Sequence, residues 1–146
     1  MDIEAIRQHC LHFPHATENV QWGADLCFKV GGKMFAVVAM ETVPQRISFK
    51  CTPENFAQLC ERSNIIPAPY MARAQWVSLE RLDALPDAEL LEALTESHRL
   101  VWQRLPRKRR LELDAMAASP AQGGTAAQAK PTSRKNRPAR KKGRRG

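Results

Sequence analysis

The chain has 146 residues, room for one ordinary domain and little more. Its apolar fraction of 43% permits a real core, and no apolar run reaches the length of a membrane-spanning helix. The formal charge of +8 is divided unevenly: residues 1–106 carry 10 basic and 13 acidic side chains, a net charge of −3, and residues 107–146 carry 13 basic and 2 acidic ones, a net +11. A uniformly basic folded domain is thereby excluded, and the cationic character belongs to the C-terminal segment.

In chain order, Ile3, Ile6, Cys10 and Phe13 recur at helical spacing and Pro14 stops the pattern, which predicts a first amphipathic helix. From about Val20 the period changes to two. Leu26, Phe28 and Val30 alternate with Cys27 and Lys29 as in a half-buried strand, and Gly31-Gly32 supplies the positive-φ pair of a tight hairpin turn. The return strand from Met34 to Met40 is apolar on both faces, which predicts a central strand covered on both sides. A third strand follows Pro44, with Ile47, Phe49 and Cys51 opposite Arg46, Ser48 and Lys50.

Thr52-Pro53-Glu54 is a helix start by composition, with a hydroxyl at the N-cap, proline at the first helical position and acid in the first turn. Phe56, Leu59 and Cys60 give that helix its buried face, and Pro67-Ala68-Pro69 imposes an extended connection. Gln75 to Leu79 reads as another strand. A long helix is predicted from about Pro86 to Leu105 with a stripe of Leu91, Leu94, His98, Val101 and Leu105. Order is expected to fail soon after Pro106, because the small-residue and like-charge segments beyond it have little to bury. The reading is an α+β domain over residues 1–106, an antiparallel sheet packed against helices, followed by a disordered basic tail over 107–146.

Several short runs match a known family in order along the chain. They are Pro14 with Trp22-Gly23, then Phe28-Lys29-Val30-Gly31-Gly32-Lys33-Met34-Phe35, Lys50 with Pro53-Glu54, Met71 and Trp76, Ser97, Leu100-Val101, and Leu105-Pro106. On these residues the chain resembles the MmcQ/YjbR family of small bacterial proteins. The resemblance implies a frataxin-like fold, also described as a double wing, and the DNA-binding role commonly attached to the family. Two positions depart from the family pattern. Tyr70-Met71-Ala72-Arg73 stands where members often have His-Met-Asn-Lys, with Arg73 in place of the lysine, and Ser97-His98 replaces a Ser-Tyr pair.

No constellation argues for catalysis. Cys10, Cys27, Cys51 and Cys60 form no CxxC pair and are expected as free buried thiols. His9, His12 and His15 are interrupted by Pro14 and lack a completing ligand, so no metal or other cofactor is expected; His98, in an apolar stripe, reads as a hydrogen-bonded core residue. Gly31-Gly32-Lys33 lacks the strand-to-helix context of a phosphate loop. Basic residues are the sharper signal. Lys29, Arg46, Ser48 and Lys50 are predicted to project from the outer sheet face, with Arg73 and Trp76 near them and Lys33 at the hairpin tip. Arg107, Lys108, Arg109 and Arg110 form one tail cluster; Arg134, Lys135, Arg137, Arg140, Lys141, Lys142, Arg144 and Arg145 form another. Such density predicts sequence-independent nucleic-acid binding, DNA before RNA, by a non-enzymatic cytoplasmic protein with no membrane association. The rival reading is a protein- or ligand-interaction module that its tail merely localises.

Overall fold

Alternating segments between residues 16 and 79 assemble six strands into one antiparallel sheet in the computed structural model, which describes residues 1–118. The strands are β1 (Ala16–Gln21), β2 (Asp25–Val30), β3 (Lys33–Ala39), β4 (Arg46–Lys50), β5 (Ile65–Pro67) and β6 (Trp76–Leu79), in the order β1-β2-β3-β4-β6-β5. The helices are α1 (Ile3–Leu11), α2 (Pro53–Leu59), α3 (Asp87–Arg104) and α4 (Arg107–Ala118), with a single 3-10 turn at Ala72–Ala74. The antiparallel α+β class is as the sequence predicts.

Local chemistry fixes the element ends. Asp2 caps α1 by accepting the Ala5 amide at 2.9 Å, and Thr52 caps α2 by accepting the Asn55 amide at 3.1 Å. Each such cap stabilises its helix by about 1 kcal/mol. Gly31 and Gly32 sit at φ 59° and 85°, the positive pair that a two-residue hairpin between Val30 and Lys33 requires.

One sheet face is apolar. Paired positions Val38, Ile47 and Leu79 lie in one row and Ala36, Phe49 and Val77 in the next, all fully buried. α3 packs on β2, β3 and β4 there, α1 docks on α3, and α2 packs on β5 and β6. His9 joins α1 to α3 by donating to the Leu91 carbonyl at 3.0 Å. Phe28, Phe35 and Phe49 anchor the core; burying a side chain of this size contributes roughly 1.5–3 kcal/mol.

Several expectations need correction. β3 is central in the sheet, but it is not covered on both sides, since Val37 and Ala39 are only half-buried. Part of its apolar run reflects a bulge: Phe28 pairs with Ala36 and Lys29 with Met34, so Phe35 is an extra residue. Phe35 and Ala36 are consecutive and both fully buried, which strict alternation forbids. The buried stripe of α3 runs through Leu90, Leu94, Ser97, His98 and Val101, with Leu91 half-buried. In α2 only Leu59 is fully covered, and Phe56 and Cys60 are half-buried.

Order does not fail after Pro106. Pro106 accepts the Arg110 amide at 3.0 Å and opens α4, whose alanine, leucine, arginine and glutamate content favours helix even without a strong apolar stripe. The chain divides into a compact unit, Met1–Arg110, and a second beginning at Leu111, of which the described part is the remainder of α4. The disorder expected of the tail concerns residues that otherwise lie outside the described ones.

Candidate functional site

Four elements end at one pole of the sheet, and each brings a cation. Lys33 follows the β2–β3 turn, Lys50 closes β4, Arg73 lies in the 3-10 turn and Arg104 ends α3. They surround a cavity of about 480 Å³, within the range of small-molecule sites. Met34, Val101 and Leu105 supply an apolar wall, and among the described residues no carboxylate lines it.

Lys50 is the unusual member. Its main-chain amide has no strand partner on the β3 side, because the bulge at Phe35 ends the β3–β4 ladder at the Ala36–Phe49 pair. The buried hydroxyl of Ser97 fills the gap, accepting the Lys50 amide at 2.9 Å and donating to the Phe35 carbonyl. Lys50 is only 8% exposed as a residue, and its part-buried ammonium donates to the Ala74 carbonyl. Burial and then the neighbouring Arg104 guanidinium push this ammonium below the ordinary lysine range. The segment before β6 is held firmly. Tyr70 and Gln75 bracket the 3-10 turn at φ 66° and 65°, a left-handed backbone that non-glycine residues seldom adopt. The Gln75 carbonyl accepts the Cys51 amide at 2.8 Å, and the Ala68 amide donates to the Trp76 carbonyl at 3.0 Å.

The expected outer-face patch is therefore divided. Arg46 is exposed at the far end of β4, about 13 Å from Lys50 by the rise of a strand, with half-buried Ser48 between them. Lys29 is half-buried, paired with Thr17 and Met34 on the open face. Lys50 does not project outward, and Trp76 is 5% exposed, so neither is free on that face and Trp76 offers no ring for base stacking. Both are covered because the segment from Ala68 to Gln75 closes over the ends of β4 and β6.

Arg73 and Lys33 are exposed as expected, but at the cavity rather than beside Arg46. Arg104, not singled out in the sequence, completes the group; as a cation in the last turn of a helix it reads there as an ordinary complement to the helix dipole. Arg107, Lys108 and Arg109 are exposed in the first turn of α4, and the half-buried Arg110 donates through Nε to the Leu105 carbonyl at 3.3 Å. Arg134, Lys135, Arg137, Arg140, Lys141, Lys142, Arg144 and Arg145 lie outside the described residues.

His98, Cys10 and Cys51 belong to the core. His98 is buried, donates through Nε2 to the Pro14 carbonyl at 3.0 Å and packs against Phe13 and Phe35. Desolvation holds its pKa below 6.5, opposed by the Pro14 bond. Burial pushes the Cys10 thiol up to about 12 and the Cys51 thiol up to about 11, far from a reactive thiolate. Among the described residues, no group of three or more His, Cys, Asp or Glu side chains is placed to hold a metal ion, and no helix is long and apolar enough to cross a membrane.

The architecture defines a small α+β protein with helices on one face of an open antiparallel sheet and a basic cavity at one end. The chain belongs to the YjbR family, whose model matches residues 11–100. Deinococcus radiodurans protein DR2400, of the domain family DUF419, is 28% identical, with a TM-score of 0.70 over 77% of this chain and 87% of its own. A protein from Pseudomonas syringae, structural-genomics target PsR293, shares the fold at 18% identity and a TM-score of 0.57, over 68% of this chain and 98% of its own. No curated protein is significantly similar to the chain.

Proposed function

We propose that the protein is a non-enzymatic, cytoplasmic nucleic-acid-binding protein whose affinity comes mainly from its C-terminal basic residues. The observation that carries this reading is the partition of charge, −3 over residues 1–106 against +11 over residues 107–146. The described part of that segment presents Arg107, Lys108 and Arg109 consecutively on the exposed first turn of α4. Such a cluster neutralises phosphates and releases condensed counterions without reading a base edge, so binding is sequence-independent, with duplex DNA the expected partner. Buried free thiols suit a reducing compartment, and their raised pKa values together with a neutral, hydrogen-bonded His98 argue against nucleophilic or acid–base catalysis.

The test compares the full chain with one ending at Ala118, titrated with unrelated duplexes over a range of salt. Equal affinity and equal salt dependence for the two proteins would overturn the assignment of affinity to the C-terminal residues.

A further inference from the structure

A buried lysine with no carboxylate partner needs an explanation, because desolvating an ammonium is costly unless something negative compensates it. At Lys50 the protein supplies one carbonyl, that of Ala74. Three further cations, Lys33, Arg73 and Arg104, line the same cavity, and none of the four makes an ion pair among the described residues. The C-terminal carbonyls of α3 lie at this end, but a helix terminus contributes only about half a negative charge. Among the described residues, the site thus gathers four cations and no carboxylate around a space of about 480 Å³.

We infer that this cavity is a binding site for a phosphate monoester, with the phosphate among Lys33, Lys50, Arg73 and Arg104 and the organic part against Met34, Val101 and Leu105. Phosphate fits better than carboxylate on charge, since a monoester carries about −1.5 to −2 at neutral pH and presents three acceptor oxygens. Two guanidinium groups provide forked donors that match those oxygens, and the partly desolvated Lys50 acts with less screening than a surface lysine. The apolar wall and the volume call for more than inorganic phosphate. The same chemistry comes from a free phosphorylated metabolite or from the terminal phosphate of a nucleic-acid strand. This inference goes beyond the nucleic-acid reading, because it concerns four residues of the folded unit and none of the C-terminal charges.

The test is calorimetric titration of the full chain with two matched pairs, adenosine monophosphate against adenosine and a 5′-phosphorylated tetranucleotide against its 5′-hydroxyl form, with inorganic phosphate alongside. The phosphorylated member of at least one pair is expected to bind at least tenfold tighter than its twin and tighter than inorganic phosphate. Arg73→Gln combined with Arg104→Gln, both at exposed positions, should erase that preference while duplex affinity stays within about twofold. Lys50→Met, with folding checked by circular dichroism, should do the same. Preference confined to the mononucleotide pair identifies a small-molecule site, and preference confined to the tetranucleotide pair identifies a strand-end site. No preference in either pair, or a preference that survives the double variant, would overturn the inference; the second result would place the phosphate on the C-terminal residues instead.

Discussion

Ser97 and Lys50, on α3 and β4, are joined through the Ser97 hydroxyl, which accepts the Lys50 amide at 2.9 Å and donates a hydrogen bond to the Phe35 carbonyl. One side chain thus replaces the ladder link that β3 and β4 lose at the bulge. Ser97→Ala leaves a buried amide and a buried carbonyl without partners, and the expected loss is about 1–3 kcal/mol. Urea denaturation reads it directly; a change below about 0.5 kcal/mol would show that water or a backbone shift replaces the hydroxyl.

Lys29 and Lys50 should respond differently to the same substitution. Lys29→Glu, on the half-buried open face, is expected to change stability by no more than about 0.5 kcal/mol. Lys50→Glu sets an acceptor against the Ala74 carbonyl in a covered position and should cost about 1–3 kcal/mol. Equal effects in thermal denaturation would contradict the burial of Lys50.

His98 makes the fold sensitive to mild acid. Its folded-state pKa lies below 6.5, so the unfolded chain binds the proton more readily. The contribution is fully present above that value and is lost progressively as the pH falls below it, through the folded pKa. His98→Phe keeps the aromatic packing and removes the titration. Between pH 7 and pH 5.5 the variant should therefore lose less stability than the parent, whatever its absolute stability; parallel curves would rule His98 out as the source.

Thiol chemistry should distinguish the cysteines. Desolvation raises the pKa of all four thiols, but Cys10, Cys27 and Cys51 are buried whereas Cys60 is partly exposed. A colorimetric thiol reagent at pH 8 should therefore label one equivalent quickly and three only on unfolding. Cys60→Ser should abolish the fast phase, and its persistence would indicate local opening around another cysteine.

Salt dependence measures the proposed function. Each neutralised phosphate adds about −0.9 to the slope of log K against log salt, so contact with on the order of five phosphates costs roughly a thousandfold in affinity for an about fivefold rise in salt. The full chain should follow that slope on unrelated duplexes, and the chain ending at Ala118 should give a shallower one. A preference above about tenfold for one duplex sequence would move recognition into the folded unit.

The parts of the fold readable from sequence are those encoded by neighbours in the chain. Gly31-Gly32 specifies its own turn, Thr52-Pro53 its own helix start, and the apolar period of α3 its own burial. β1 was missed because Ala16–Gln21 is an edge strand of polar residues whose pairing is imposed by β2, and β5 because three residues ending in proline carry no period. The site was half legible. Basic residues at Lys33, Lys50 and Arg73 were visible, but alternation sends Lys50 outward and says nothing of the Ala68–Gln75 segment that covers it. Arg104 joins the group only through the packing of α3 on the sheet.

The extra residue at Phe35 leaves the hairpin arm beyond it in phase with its partner strand. Ala36 faces Phe28 and Met34 faces Lys29, so a single-residue deletion at Phe35 would set Met34 directly after Ala36 with the same partners and the same faces. The ladder to β4 would then continue past the Ala36–Phe49 pair and bring Met34 opposite Lys50, where the Ser97 hydroxyl now stands in for a strand. Such a deletion would remove a core ring and make the side-chain bridge redundant, while the arm kept its direction.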